Sequence, residues 1–447
     1  MSFISKLIAR ATQLSKKEYW PREKLEQYQA RSLQRLRRSA YAKSPFYQKF
    51  HKGFMGKPLQ ELPSLSKAML LEHFDEIITD PAVHFEDMER YMKMDAAGKL
   101  FQDRYFLTAT SGTTGNRTLF LSSESEWLSD LASMSRQGLW YGLKQLRRKR
   151  RIAYALSTVP FYSSSRLLDF IDKNLTAITI LDAAHPLDKI VRQLNEFQPE
   201  ILTSYGSLAR VLAKEQLEGR LNIQPEVICT GGDGLTEDTR QLVEKAWGKL
   251  PYNSYASTET GGIAAECNFH SGLHMFEDML IIENVDKKGR PVPAGEYGDK
   301  LLVTVLFRRL IPLIRYEVED LILISDKPCP CGRTFRLIEN IGGRICEVVW
   351  LPREAGGHVS FHPNFFIGIL DPLPVSQWQV IHRKNDRLDV HVTNPRSDFR
   401  EEMIQDALTR RFKAGGGVPP QINVVTVPDI PRGRTGKQVL VLSEVPM

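Results

Sequence analysis

Residues 177–232 read AITILDAAHPLDKIVRQLNEFQPEILTSYGSLARVLAKEQLEGRLNIQPEVICTGG. Three short apolar runs, AITIL, ILTSYG and VICTGG, alternate with two segments, 186–197 and 207–218, whose apolar residues recur at helical spacing. Strands that alternate with helices in this way predict a largely parallel sheet covered by helices on both faces.

The same pattern continues on both sides of this stretch. Further strands are predicted at FLTA (106–109), TLFLSS (118–123) and RIAYALS (151–157), with helices at 123–145, 164–174 and 236–248. Residues 1–60 have a basic, helical pattern, and 273–325 form strand-rich hairpins joined by Gly/Pro turns. A Gly pair before Arg344 suggests a domain boundary. We therefore predict an N-terminal domain of residues 1–343 and a C-terminal α+β domain of 344–447, with a hairpin at Asn385-Asp386, a helix at 397–413 and a strand at 421–427.

The composition is that of a globular protein, with 42% hydrophobic and 25% charged residues among 447. No apolar run is long enough to span a bilayer, and the basic, interrupted N-terminus does not read as a secretory signal, so we expect a cytoplasmic protein with no membrane partner. The formal charge of +7 favours an anionic ligand. The basic run at 147–151 has no interleaved aromatic residues and no nucleic-acid motif, so we expect no nucleic-acid partner.

Three polar, glycine-containing segments are candidates for chemistry. TSGTTGNRT (110–118) lies between two predicted strands, and its glycines and hydroxyls suit a phosphate. It lacks the Lys-Ser/Thr of a Walker loop, and a flexible hairpin turn is the alternative. In NSYASTETGG (253–262), a hydroxyl could meet a phosphate and a carboxylate could hold Mg²⁺, although most such residues are simply exposed. PRGRTGK (431–437) could deliver a lysine to an anion, or form a solvated basic tail.

Together and in this order, these segments resemble the superfamily of adenylate-forming enzymes, which includes acyl-CoA synthetases, luciferases and peptide-synthetase adenylation domains. The resemblance is closest to the phenylacetate–CoA ligase branch and covers almost the whole chain. It extends to LRRSAYAKSPFYQKF (36–50), LPSLSKAML (62–70), GGDGLTEDTRQLVEKAWG (231–248), PLIRYEVEDL (312–321) and CPCGRTFRLIENIGGR (329–344).

This resemblance implies an α/β fold, with a large N-terminal domain of stacked mixed sheets with helices plus a β-rich subdomain, and a small mobile C-terminal domain. It implies that the chain activates a carboxylic acid with ATP and Mg²⁺, releases pyrophosphate and passes the acyl group to a thiol, most simply that of coenzyme A. Electrostatic stabilisation and positioning suffice for this chemistry, without a covalent nucleophile. The sequence is also compatible with a homodimer.

The resemblance also implies roles for individual residues. The phosphate loop would consist of Ser111, Gly112, Thr113, Thr114 and Gly115. The adenine would lie against Gly232, Asp233, Tyr255 and Ala256. Thr258 would contact the α-phosphate, Glu259 would hold Mg²⁺, Asp320 and its basic partner Arg344 would bind the ribose, and Lys437 would bridge the α-phosphate and the substrate carboxylate.

The chain departs from the family pattern in places that bear on the acceptor. Asn116-Arg117 and Val318-Glu319 replace common residues without loss of the implied roles. The acidic pair usual after Gly-Arg is replaced by Ile345-Cys346-Glu347, and the segment that would line the pantetheine channel matches loosely. The acceptor could therefore be coenzyme A, an acyl carrier protein or an amine. A non-catalytic nucleotide-binding homologue is a further alternative.

Two more sets of residues are candidates for sites. Cys267, His274, Cys329 and Cys331 form a possible structural zinc site, with His270 as an alternative ligand and reduced buried thiols as the alternative interpretation. The resemblance implies an acid pocket, for which the matching residues suggest a flat aromatic acid, with a medium-chain fatty acid as the alternative, although each residue could equally belong to the core. They are Tyr154, Phe161, Tyr162, Ser163, Ser204, Tyr205, Gly206 and Gly231, with Ala256.

Overall fold

The computed structural model describes residues 3–94, 99–110, 118–141, 150–168, 176–344, 347–361, 363–370, 373–384, 387–430 and 439–445. Its α-helices are α1 (Phe3–Ser15), α2 (Arg22–Lys43), α3 (Pro45–Phe50), α4 (Lys67–Glu72), α5 (Phe74–Ile77), α6 (Phe85–Lys93), α7 (Glu124–Trp140), α8 (Ser163–Leu168), α9 (Leu187–Phe197), α10 (Gly206–Leu217), α11 (Glu237–Trp247), α12 (Pro363–Leu370) and α13 (Glu401–Ala414).

The strands follow the same numbering along the chain. They are β1 (Phe106–Ala109), β2 (Leu119–Ser122), β3 (Arg150–Leu156), β4 (Thr176–Asp182), β5 (Ile201–Ser204), β6 (Val227–Gly231), β7 (Tyr252–Ser257), β8 (Gly261–Glu266), β9 (Leu273–Met275), β10 (Leu280–Val285), β11 (Lys300–Val305), β12 (Tyr316–Val318), β13 (Asp320–Ser325), β14 (Leu337–Arg344), β15 (Val349–Pro352), β16 (His358–Phe361), β17 (Gln377–Arg383), β18 (Arg387–Thr393), β19 (Gln421–Thr426) and β20 (Val441–Ser443).

In the described part of the chain, the largest sheet has nine strands in the order β13-β14-β9-β8-β7-β6-β5-β3-β4. From β4 to β7 the neighbouring strands pair in parallel, and helices α9, α10 and α11 connect them. Towards β13 the pairing becomes antiparallel. The parallel sheet predicted from 177–232 is thus confirmed, and the strand-rich segment 273–325 extends it and also forms a separate sheet of β10, β11 and β12.

Apolar residues gather into separate cores. One core packs α9, α10 and α11 onto the parallel strands. Another holds the N-terminal helices against the antiparallel strands. A third contains only residues from 349 onward and packs α12 and α13 on the sheet of β19, β18, β17 and β20. Helix α13 begins at Glu401, later than the predicted start at 397, because a turn closes first, where the Phe399 N–H donates to the Arg396 carbonyl.

Local sequence explains how helix α7 begins and where it is fixed. Ser123 and Glu126 form a capping box at its first turn. The second oxygen of Glu126 accepts the N–H groups of Arg309 at 2.5 Å and Leu310 at 2.9 Å, far away in sequence. The helix start is therefore tied to the loop that follows β11.

Helix α7 approaches the β7–β8 turn closely because two residues there lack a side chain. A Cβ atom on Gly261 would lie 2.0 Å from Asp130 Oδ1, and one on Gly262 would lie 2.8 Å from Ser133 Oγ. Asp130 pairs with buried Arg308 at 3.1 Å. Arg308 also donates to Ser122 Oγ, at the end of β2, at 2.9 Å. The glycines of the STETGG segment are thus required by packing as well as by any chemistry nearby.

Within the described ranges, we find no helix that combines the length and the apolar character needed to cross a bilayer.

We predict that Gly261→Ala destabilises the protein more than Gly248→Ala. Both glycines have positive φ, at 74° and 69°, so both substitutions cost about 1 kcal/mol of backbone strain. Only Gly261 has a neighbour that a methyl group would strike, which adds about 1–3 kcal/mol of overpacking. Urea unfolding of the two variants measures the difference. Equal midpoints would contradict the prediction, because they would show that α7 moves to accept the methyl group with no loss in the free energy of unfolding.

Candidate active site

A cavity of about 790 Å³ lies between the parallel sheet and the C-terminal domain. It brings together Gly232, Asp233, Tyr255, Ala256 and Asp320, which the sequence resemblance assigned to the nucleotide. These residues come from three separate segments: the loop after β6, strand β7, and the first residue of β13. Because parallel strands present their carboxyl ends at one edge of a sheet, the ends of β6 and β7 meet there, as ligand-binding residues do in open α/β sheets.

Asp233 joins the cavity to the start of helix α10. One carboxylate oxygen accepts the Gly206 N–H at 2.6 Å, and the other accepts the Ser207 hydroxyl at 2.6 Å and its N–H at 3.3 Å. A carboxylate at a helix N-terminus is favoured by the unsatisfied N–H groups and the helix dipole. Asp233 therefore fixes the cavity wall, in addition to any contact it makes with a base.

Two glycines near this point are explained by close packing. A Cβ atom on Gly206 would lie 2.6 Å from the Gly234 carbonyl oxygen, and one on Gly231 would lie 2.4 Å from Ser254 Oγ. Any larger side chain at these positions would push the loop after β6 away from β7 or α10. This contact accounts for both glycines without a substrate.

Asp320 lies opposite the loop after β6 and is oriented by a tyrosine. The Tyr255 hydroxyl donates to Asp320 Oδ2 at 2.6 Å. The antiparallel register of β13 and β14 places Asp320 across from Arg344, as the resemblance implied, whereas the Arg344 side chain lies outside the described residues. The carboxylate thus reaches the cavity with its position fixed by a buried phenol.

Thr258 and Glu259 occupy the turn between β7 and β8, beside the cavity rather than in its lining. Ser163 Oγ donates to Thr258 Oγ1 at 3.2 Å, which joins the turn to helix α8. Burial, and then the negative charge of Glu259, raise the pKa of Tyr316. Glu259 is therefore a partly exposed carboxylate close to Tyr316, and its oxygen donors suit a hard cation such as Mg²⁺.

Apart from Ala256, the residues proposed for the acid pocket do not line this cavity. Phe161 and Tyr162 are buried in the large core. The Tyr205 hydroxyl accepts the Ser157 N–H at 3.1 Å, and the Ser204 hydroxyl donates to the Tyr205 carbonyl at 3.1 Å. Burial raises the pKa of Tyr154 to about 12. The acid-binding role of this group therefore stays a prediction.

Some predicted residues lie outside the described part of the chain: Ser111, Gly112, Thr113, Thr114, Gly115 and Lys437. The residues that flank the first group are described. Thr110 and Thr118 close the base of the segment, with the Thr110 N–H donating to the Thr118 carbonyl and the Thr118 N–H to Thr110 Oγ1, both at 2.9 Å. Val439, two residues after Lys437, lines the cavity.

Four potential metal ligands form a compact cluster away from the cavity centre. Cys267 and Cys329 have sulfurs 3.6 Å apart, and Cys331 Sγ lies 3.3 Å from His274 Nε2. All four donor atoms lie within 4.8 Å of one another. A tetrahedral zinc ion with Zn–S bonds of about 2.3 Å would separate its sulfurs by roughly 3.8 Å, so the donors fit the ion.

The surroundings of the cluster also suit a metal. His274 Nδ1 lies 3.3 Å from the Phe335 carbonyl oxygen, which leaves Nε2 directed at the thiols. Burial lowers the pKa of His274 to about 4 and raises that of Cys267 to about 12. Burial alone would also raise the pKa of Cys331, but hydrogen bonds from Arg333 lower it overall. The alternative ligand His270 lies instead 3.0 Å from Glu266.

Part of the cavity wall consists of residues that were not predicted from the sequence. Arg210 and Lys214 line it from α10, and Ser376, Gln377 and Trp378 line it from the C-terminal domain. The sequence feature that could have indicated Arg210 and Lys214 is their spacing from Ser207, which places all three on one face of the predicted helix.

Comparisons with known proteins extend over nearly the whole chain. The sequence is 25% identical to the phenylacetate–coenzyme A ligase of Thermus thermophilus, over 94% of this chain and 96% of that protein. It is 24% identical to the phenylacetate–coenzyme A ligase of Escherichia coli K12, over 91% and 93%. No family model matches the chain.

The fold is similar to that of 2-hydroxyisobutyryl-CoA ligase, solved in the postadenylation state in complex with 2-HIB-AMP. The TM-score is 0.74 at 19% identity, and the match covers 96% of this chain and 92% of that one. The predicted fold class is thereby confirmed. The similarity to the two phenylacetate–coenzyme A ligases agrees with the resemblance drawn from the motifs.

Proposed function

We propose that this chain is an AMP-forming acid–thiol ligase of the phenylacetate–CoA ligase-like branch of the adenylate-forming superfamily, and its similarity to two phenylacetate–coenzyme A ligases supports this. A substrate carboxylate oxygen attacks the α-phosphorus of ATP, pyrophosphate leaves, and an acyl-adenylate forms. The sulfur of coenzyme A then attacks the acyl carbon, and AMP leaves with the carboxylate oxygen that formed the bond. The observation that carries the proposal is the convergence of Gly232, Tyr255 and Asp320 on one cavity.

The residues around the cavity divide this work. Asp320, held by Tyr255, would accept hydrogen bonds from the ribose hydroxyls, while the loop after β6 and Ala256 would contact the adenine. Thr258 would donate to the α-phosphate, and Glu259 would hold Mg²⁺, which supplies positive charge to the phosphates. Lys437 would neutralise the charge that develops between the carboxylate and the α-phosphate.

We propose an aromatic acid as the substrate. Phenylacetate, named for both relatives, is one, and the predicted pocket residues Tyr154, Phe161, Tyr162 and Tyr205 would offer flat apolar contacts. Free coenzyme A is the proposed acceptor, and an acyl carrier protein is the alternative to be tested. The cytoplasm suits reduced thiols, and among the described cysteines none forms a disulfide.

We propose further that Cys267, His274, Cys329 and Cys331 bind a structural zinc ion. Four protein donors at the distances described would complete a tetrahedral shell and leave no open position for catalysis. The ion would join β8 and β9 to the loop before β14.

The proposed reaction is tested by pyrophosphate release from ATP and Mg²⁺ with a panel of aryl and fatty acids, with and without coenzyme A. We expect acid-dependent release that coenzyme A stimulates, with the thioester identified by mass spectrometry. Release that ignores coenzyme A would point to a carrier protein or an amine as acceptor. Absence of release with every acid, despite ATP binding, would overturn the proposal.

We predict that Lys437→Ala lowers the rate of adenylate formation by about 100-fold or more, because one charge opposite the reacting centre is lost. Thiolysis of a supplied acyl-adenylate should remain within a few fold of the unmodified rate. Lys413→Ala, in α13 of the same domain, serves as the control and should change neither half-reaction. Equal loss of both half-reactions in Lys437→Ala would contradict the role assigned to this lysine.

We predict that Tyr255→Phe weakens ATP binding about three- to tenfold, because Asp320 loses the donor that orients its carboxylate. Tyr105→Phe is a matched control, since Tyr105 donates to Asp80 at 2.5 Å outside the cavity lining. Calorimetric titration with ATP measures both variants. An unchanged affinity for ATP in Tyr255→Phe would show that the hydrogen bond between Tyr255 and Asp320 does not contribute to nucleotide binding.

We predict about one zinc ion per purified chain, lost in Cys267→Ser but retained in Cys229→Ser, whose half-buried thiol lies outside the cluster. Loss of the ion should lower the midpoint of thermal unfolding by roughly 1 °C for each kcal/mol of binding energy removed, because the entropy of unfolding grows with chain length. Elemental analysis and thermal unfolding of both variants are the measurements. Equal metal content in the two variants would disprove the site.

A further inference from the structure

One face of helix α10 forms a wall of the cavity. Ser207, Arg210, Val211 and Lys214 all line it. Their spacing of three, four and seven residues places them on a single helix face. Two long cationic side chains therefore point along the cavity from the helix that Asp233 fixes at its start.

These cations lie close to one another and are partly removed from water. Burial lowers the pKa of Arg210. Burial, followed by repulsion from Arg210 and Arg396, lowers the pKa of Lys214. The negative charge of Asp238 raises the pKa of Arg210 in part. The charge of Glu218 does the same for the pKa of Lys214. Three cations from α10 and the C-terminal domain thus face two carboxylates, and this corner of the cavity has an excess of positive charge.

The position of the corner sets it apart from the nucleotide residues. Ser207 bonds to Asp233 at one end of the helix face. With a rise of 1.5 Å per residue, Lys214 lies roughly 10 Å further along the helix. There its Nζ donates to the Ser376 carbonyl at 3.4 Å, where the C-terminal domain closes the cavity.

The charge and the location together indicate the ligand. A corner of partly desolvated Arg and Lys favours a phosphate, through charge-assisted hydrogen bonds. The triphosphate of ATP already has its proposed partners in Thr258, Glu259 and the segment 111–115. The other phosphate-bearing participant in the proposed reaction is the pantetheine thiol acceptor.

We propose that Arg210 and Lys214 bind a phosphate group of the pantetheine-bearing acceptor. This inference rests on the proposed ligase function and adds a subsite to it. Two sources carry that chemistry: the 3′-phosphate of coenzyme A, and the phosphate adjoining pantetheine, which coenzyme A shares with a carrier protein. Arg396 adds positive charge that acts on Lys214.

The test uses Arg210→Met and Lys214→Met, which keep side-chain length and remove the charge, in the full-length protein. Thioester formation is measured with coenzyme A, 3′-dephospho-coenzyme A, phosphopantetheine and pantetheine, alongside pyrophosphate release without acceptor. We expect the KM for coenzyme A to rise about tenfold in each variant. Adenylate formation and kcat/KM for pantetheine should not change. Lys214→Arg should restore the KM.

The acceptors distinguish the two sources of phosphate. A rise in KM that occurs only with coenzyme A assigns the subsite to the 3′-phosphate. A rise in KM that also occurs with dephospho-coenzyme A and phosphopantetheine assigns the subsite to the phosphate next to pantetheine. An exposed lysine of α11 gives the matched control Lys245→Met, which should leave all four acceptors unaffected.

Other outcomes overturn the inference. An unchanged KM for coenzyme A would exclude the subsite, and an equal loss with pantetheine would show that the side chains act only through the contact with the C-terminal domain. A raised KM for the acid would assign the cations to the acid instead. If the unmodified protein forms adenylate but no thioester with any of the four thiols, the proposed acceptor fails, and this inference fails with it.

Discussion

The close approach of α7 to the β7–β8 turn is the constraint on which the candidate site depends. Asp130 occupies the space that a side chain at Gly261 would need, and its partner Arg308 also donates to Ser122. Ser122 ends the hairpin that carries the predicted phosphate loop, while Gly261 follows Thr258 and Glu259. One buried ion pair therefore links the two separate segments that are proposed to bind phosphate. Breaking a buried pair leaves an uncompensated charge, which resists any drift between these segments.

The parallel sheet supplies the other half of the site. Its strands end at one edge, and the carboxylate of Asp233 fastens the start of α10 to the loop after β6. The end of the cavity that is proposed for adenosine is therefore tied to α10 and carries acidic groups that suit hydroxyls and N–H donors. The far end, along α10 towards Ser376, is basic and is completed by the C-terminal domain. A nucleotide and a phosphate-bearing acceptor can thus occupy opposite ends of one cavity.

Much of this arrangement could be predicted from the sequence. Strand–helix alternation predicted the parallel sheet, and the family resemblance pointed to Tyr255, Asp233 and Asp320, which the structure brings together at one cavity. Pairing across the chain could not be read in that way: the bond between Tyr255 and Asp320 joins residues 65 positions apart. Some glycines in the motifs are explained by close packing, as at Gly261, Gly206 and Gly231. From the sequence alone, such glycines cannot be distinguished from glycines that make room for a ligand. Arg210 and Lys214 were missed because the wall that they share with Ser376 forms only where α10 meets the C-terminal domain.

Transfer of an isotope label tests the central claim, an acyl-adenylate route, most directly. The protein is incubated with ATP, Mg²⁺, coenzyme A and an acid whose carboxylate carries ¹⁸O at both oxygens, and the products are analysed by mass spectrometry. Attack of the carboxylate on the α-phosphorus predicts AMP that carries one ¹⁸O, unlabelled pyrophosphate, and a thioester that retains the other label. Label in inorganic phosphate, accompanied by ADP, would mean attack at the γ-phosphorus through an acyl-phosphate, and would contradict the account.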